Sequence, residues 1–197
     1  MSSTISAPEL PAPRSLRGGP LTDPQAWLRG SPEEVLERLA DGDPFELARR
    51  VQRHLARNRL LMDEHRVYLH CLAFVARASF HYRGTPAVGC WLDQSVQAAI
   101  NSFDSQLGAG EPGPRWRAMA ARFRVPMVEL DRACSKFQTL KLEAREAFFA
   151  LVIEDRSIEQ LVYPGGRSAV EIAKDARLGL SIFLGLKSNS LSERSAT

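Results

Sequence analysis

Cysteine is scarce in this chain. There are three in 197 residues, Cys71, Cys90 and Cys134, widely spaced and without a CxxC pair. That usage excludes a disulfide framework and a thiolate zinc site, and it suits buried free thiols in a reducing, cytoplasmic setting. Histidine is equally thin. His54, His65, His70 and His81 lie among helix-forming residues, and His65 and His70, five apart, do not share one helix face, so no metal site is expected. Long apolar runs are missing: no segment approaches the roughly 18 residues of a membrane helix, and the N-terminus has no apolar signal core. Neither sign of charge dominates, with 26 basic against 23 acidic residues, formal net +3 and pI near 9.0. This balance is mildly basic and far from that of a tail-driven nucleic-acid binder. No GxSxG, P-loop or GxGxxG occurs, and no carboxylate pair sits in an apolar setting. Enzyme activity, a cofactor and a small-molecule substrate are therefore not expected. Strand alternation is also absent, which leaves an all-α reading.

What is present is helical pattern with punctuation. Residues 1–24 are rich in Ser, Pro, Gly and Ala and read as a disordered arm. Ser31-Pro32-Glu33-Glu34 is a helix start, with Ser31 as N-cap and acids near the positive end of the dipole. A second start follows at Asp43-Pro44, with Phe45, Leu47, Ala48, Val51 and Leu55 on one face, and Asp63 opens a third, longer helix. Cys90 to Phe103 is apolar-periodic again. Residues 108–114 (GAGEPGP) hold three Gly and two Pro and cannot continue a helix. The expectation is two small helical domains, 25–107 and 115–187, joined by the linker 108–114 and followed by a flexible tail at 188–197.

The C-terminal half carries the most specific local pattern. Ser157 is placed as an N-cap, Ile158, Leu161 and Val162 form an inner face, and Pro164-Gly165-Gly166 forces a turn. Ser168 then opens another helix, and Glu171 three residues on completes a capping box. Ala169, Ile172, Ala173, Ala176 and Leu180 form a packing face, leaving Arg167, Val170, Glu171, Lys174 and Arg177 toward solvent or a groove. This is the order of parts of a helix-turn-helix. A helical hairpin bent at glycine has the same pattern. Residues 141–187 hold seven basic and seven acidic residues, so the segment is net neutral where a groove-reading helix usually gains affinity from Lys and Arg.

Arginine concentrates elsewhere. Five of them, Arg49, Arg50, Arg53, Arg57 and Arg59, lie within eleven residues, and positions 49, 53 and 57 repeat every four to make one helix stripe. Beyond the linker come Arg115, Arg117, Arg122 and Arg124, with Trp116 and Phe123 between them. A solvated face explains such stripes. Contact of Arg49, Arg53, Arg57, Arg115 and Arg117 with phosphates or an acidic partner is the functional alternative. Trp91 and Trp116 read as core residues.

Leu140-Lys141-Leu142-Glu143-Ala144-Arg145-Glu146-Ala147-Phe148, then Glu154 to Val162, then Gly166-Arg167-Ser168, resembles the promoter −35-binding region 4 of bacterial sigma factors of the extracytoplasmic-function type. Tyr82-Arg83-Gly84-Thr85-Pro86 followed by Trp91-Leu92 resembles region 2 of the same family, with Asp63 at the family's Asp. The resemblance implies a transcription protein whose N-terminal half meets core RNA polymerase or promoter DNA. Its DNA-reading residues would be Arg167, Ser168, Val170, Glu171, Lys174 and Arg177, with no cofactor. The departures are as specific. The family's polymerase-contacting Gln-Glu pair falls on Leu69-His70, and its Arg- and aromatic-rich stretch after Trp-Leu is replaced by Asp93, Gln94, Ser95, Gln97 and Asn101. The recognition helix keeps only Lys174 and Arg177, and Pro164 falls inside the preceding helix. These losses motivate a second expectation, a protein-interaction module on a sigma-like scaffold that no longer reads promoters.

Overall fold

The computed structural model describes residues 23–103 and 111–194, with 123, 163–165 and 184–194 described by their backbone alone. Most of the expected arm (1–22), residues 108–110 of the expected linker, and 195–197 lie outside the described residues. Nine α-helices occur among those described, with no strand. They are α1 (Pro32–Gly42), α2 (Leu47–Arg57), α3 (Glu64–Ser79), α4 (Val88–Ser102), α5 (Pro114–Phe123), α6 (Met127–Gln138), α7 (Leu142–Phe148), α8 (Ile158–Gly165) and α9 (Ala169–Arg194). A 3₁₀ turn (Ala26–Leu28) precedes α1, and a π-helical turn (Phe149–Ile153) extends α7. α9 therefore passes the position 188 at which the sequence set a tail.

Local chemistry explains the starts. At α1 the Ser31 hydroxyl accepts from Glu34 N–H at 3.3 Å while the Glu34 carboxylate accepts from Ser31 N–H at 3.1 Å, a reciprocal capping box. Asp63 begins α3 by accepting from His65 N–H at 3.0 Å. At α2 the structure departs from the sequence reading. Glu46 occupies the cap position with φ +52°, and Asp43, three residues upstream, reaches over to accept from Leu47 N–H at 2.6 Å and Ala48 N–H at 2.9 Å. The cap is thus supplied by the side chain of Asp43, which itself sits in the left-handed region at φ 42° and closes α1.

The first four helices enclose one apolar cluster. Val35 and Leu39 of α1, Leu47 and Val51 of α2, Val67 and Val75 of α3, and Leu92 and Val96 of α4 are at most 1% exposed. Burying each such side chain contributes about 1.5–3 kcal/mol relative to leaving it in water. The later helices enclose a second cluster around Trp116, Leu130, Phe137, Phe148 and Phe183, and a third around Ala147, Ile172 and Ala176. Phe148 and Phe183 stack with ring centroids 5.5 Å apart, which fixes α9 across α7.

Polar contacts join the two groups of helices. Asp63 Oδ2 accepts from Gly113 N–H at 2.8 Å, Gln138 donates to the Leu61 carbonyl at 3.0 Å, and Arg59 pairs with Glu154 at 2.9 Å while lying over the Phe149 ring. Cys71 and Cys134 are buried as expected, but Cys90 is exposed. It lies on the first turn of α4, on the outer side of a helix whose inner face is taken by Leu92, Val96 and Ala99. Among the described residues no helix is long and apolar enough to cross a membrane, and no group of His, Cys, Asp and Glu gathers to hold a metal ion.

Candidate nucleic-acid interface

α8 and α9 meet at Gly166, whose φ of +63° is a conformation that costs a side-chain-bearing residue about 1–2 kcal/mol. The Ser157 N–H that precedes α8 donates to Gln160 Oε1 at 3.3 Å. α8 runs through Pro164 to Gly165, so the turn is carried by Gly166 rather than by the whole Pro-Gly-Gly segment. At α9 the expected capping box is complete. Ser168 Oγ accepts from Glu171 N–H at 3.3 Å, and the Glu171 carboxylate accepts from Ser168 N–H at 2.9 Å and from its hydroxyl at 2.8 Å. Those bonds, led by the one from the Ser168 backbone, hold the Glu171 carboxyl below its ordinary value of 4.5.

The inner face of α9 is Ile172, Ala176 and Phe183, with Ala173 and Leu180 half-buried. Ala169, which the sequence placed on that face, is exposed although it shares the row of Ile172, Ala176 and Phe183, because it is the first helical residue and stands at the open end of that row. Gly179 lies against Phe148 so closely that a Cβ there would sit 2.9 Å from the ring-bearing Cβ and from Cδ2. The absence of a side chain at 179 is what allows the close crossing.

On the outer side, Val170 is 78% exposed, Leu178 49% exposed, and Lys174 and Arg177 are exposed alongside them. Arg167 differs from its neighbours. It is half-buried, paired with Asp175 one to two turns along α9, and donates to the Glu143 carbonyl of α7 at 3.4 Å. The structure therefore puts Val170, Lys174 and Arg177 on one open face, turns Glu171 and Ser168 to capping, and uses Arg167 to fasten α9 to α7.

The arginine run of α2 divides the same way. Arg50 turns inward, donating to the Phe45 carbonyl at 3.0 Å and pairing with Asp93 of α4, and Arg59 is held by Glu154. Arg49, Arg53 and Arg57 stay exposed on the opposite side from Val51 and Leu55. Arg49 pairs with Glu46 at 3.2 Å, and Arg53 and Arg57 have no ion-pair partner among the described residues. Arg115 pairs with Glu64 at 3.7 Å and Arg117 with Glu111 at 3.5 Å, all strongly exposed. Trp116 is buried and donates its indole N–H to Asp131 at 2.8 Å, as befits a core residue, whereas Trp91 is half-buried against Tyr82.

A grouping the sequence did not single out lies between the two sets of helices. Asp63, Arg66, Trp116 and Asp131 line a cleft of about 290 Å³, together with Asn101, Ser135 and Gln138. No local pattern signals it, since its members come from helices far apart in the chain. The comparisons with known proteins add no relative: no family model matches the chain, and no curated protein or solved structure is significantly similar to it.

Proposed function

We propose that this chain is a sigma-factor-like transcription protein that binds duplex DNA through a C-terminal helix-turn-helix, α8–Gly166–α9, with core RNA polymerase as the partner of its N-terminal helices. The observation that carries the reading is the open face of Val170, Lys174 and Arg177 on a helix entered through a capped, left-handed glycine turn. A recognition helix requires that combination: an inner face packed against its own domain and an outer N-terminal face free to enter a groove. The resemblance of residues 142–184 to region 4 supports it independently of that geometry. No chemistry is assigned, and the protein is read as a binder rather than an enzyme.

A second reading rests on a separate observation. Arg167 is engaged with Asp175 and Glu143, and the outer face carries two exposed apolar residues, Val170 and Leu178, between its bases. Apolar anchors rimmed by charge suit a protein partner better than a phosphate backbone.

One experiment separates them. Binding of the full chain to random duplex DNA is followed across a salt series, beside retention of core RNA polymerase by the tagged protein. Under the first reading, Lys174→Ala and Arg177→Ala each weaken DNA binding and lower the salt slope by about 1. Arg167→Ala is the less informative variant, because it also releases α9 from α7. Unchanged binding and slope in both single variants would remove the recognition-helix assignment. Polymerase retained without salt-sensitive DNA binding would favour the interaction module.

A further inference from the structure

We propose that the outer faces of α2 and α5 form one arginine surface that takes the phosphate backbone of duplex nucleic acid, separately from α9. α2 sets Arg49, Arg53 and Arg57 on its solvent side, successive positions rising about 6 Å along the axis. α5 sets Arg115 and Arg122 two turns apart on its own solvent side, away from buried Trp116 and Ala120. The two rows lie far apart in sequence, and one residue bridges the helices that carry them. Glu64 Oε2 accepts from Gln52 of α2 at 3.5 Å and pairs with Arg115 of α5 at 3.7 Å. A carboxylate therefore bridges α2, beside its arginine row, and the first arginine of α5. Arg53, Arg57 and Arg122 have no acidic partner among the described residues, and Arg49 and Arg115 are held only by exposed pairs that salt weakens.

The composition of this face selects its occupant. A protein interface is centred on apolar or aromatic anchors, with charge at the rim. The large apolar side chains that stand exposed are on other elements, from Leu36 of α1 to Leu178 of α9, and none described is on α2 or α5. Guanidinium groups in rows without such an anchor match a run of phosphates, which each can meet with two parallel N–H donors. A phosphate surface needs no base-reading residue, so it would position the duplex while another element reads it.

The test uses the full chain and a labelled random-sequence duplex, titrated between about 50 and 200 mM salt. The triple variant Arg53→Gln, Arg57→Gln, Arg122→Gln is expected to lower the slope of log K against log salt by about 3, since each lost phosphate contact removes about 0.9. Lysine at the same three positions is expected to restore the slope, and far-UV circular dichroism should not change in either variant. Glu64→Gln, which removes the bridging carboxylate, is expected to tighten duplex binding about twofold at the lowest salt. An unchanged slope in the triple variant overturns the inference, and so does the absence of duplex binding at the lowest salt. Arg53-dependent binding of a polyglutamate peptide in place of the duplex also overturns it and assigns the face to an acidic protein. Lys174→Ala and Arg177→Ala measured beside these variants keep the two surfaces apart. Loss confined to the α9 variants sinks this inference alone, and loss confined to the α2–α5 variants sinks the α9 reading alone.

Discussion

Arg66 of α3 and Asp131 of α6, 65 positions apart in the chain, form a buried ion pair, Nη1 to Oδ2 at 3.2 Å, with side chains 8% and 9% exposed. The second Asp131 oxygen accepts the Trp116 indole N–H at 2.8 Å. One carboxylate therefore satisfies a charge from the first group of helices and a ring donor from the second.

Removing that carboxylate takes a buried counter-charge from Arg66 and the acceptor from the Trp116 indole. Asp131→Ala is expected to cost about 3–5 kcal/mol, because a guanidinium only 8% exposed loses this counter-charge. Urea denaturation of the variant beside the parent measures this, and a loss below about 1 kcal/mol would show that the site is wetter than the packing implies.

Two glycines of the C-terminal helices should respond differently to alanine. Gly179→Ala drives a Cβ into Phe148 at 2.9 Å, and the expected destabilisation is about 1–3 kcal/mol despite the better helix propensity of alanine. Gly166→Ala meets nothing within 4 Å, so it carries only the backbone strain of φ +63°, about 1–2 kcal/mol. Thermal melts decide it: a stabilised Gly179→Ala would contradict the close crossing of α7 and α9.

The three thiols divide by accessibility. Burial pushes the Cys71 thiol up to about 12, and burial with the nearby Asp131 charge does the same to Cys134, while Cys90 is exposed. Near pH 8 an aromatic disulfide reagent should therefore modify Cys90 rapidly, and the other two only on unfolding. A raised acid pKa means the folded state holds those protons longer than the unfolded chain. Stability from these two thiols is full below about pH 9 and declines as pH rises toward 12. Three fast-reacting thiols in the native protein would contradict the packing.

The α9 cap titrates in the opposite sense. With Glu171 held below 4.5 by Ser168, its contribution to the helix start is present above that value and is lost as pH falls through the depressed one. Carboxyl chemical shifts followed by NMR should give Glu171 a midpoint below 4.5, and Ser168→Ala should move it upward. An identical midpoint in parent and variant would mean that the Ser168 hydroxyl does not reach the Glu171 carboxylate in solution.

Helix starts were legible because a cap is a local event. Ser31, Asp63 and Ser168 each act within three residues, and sequence spacing reports that range directly. The inner rows of α2 and α9 followed from helical period for the same reason. The fate of individual arginines was not legible. Arg50 finds Asp93 43 residues away and Arg59 finds Glu154 95 residues away, while the equally spaced Arg53 stays in solvent. Nothing within a helical turn distinguishes them, and the choice is made by which helix packs beside α2. Arg167 looked like a groove-facing base by period, and Asp175 and Glu143 took it because α7 lies within its reach. Exposed Cys90 is the same lesson for an apolar-looking neighbourhood: the flanking Val88, Trp91 and Leu92 turn inward and leave it outside.

Asp63 uses its two oxygens in different directions. Oδ1 starts α3 and Oδ2 takes the Gly113 N–H at the entrance to α5. Severing the backbone at a site engineered into residues 104–110 would therefore not liberate two particles. The nicked pieces should elute together on gel filtration and melt in one step, separating only when a denaturant reaches the Asp63, Arg66 and Asp131 contacts.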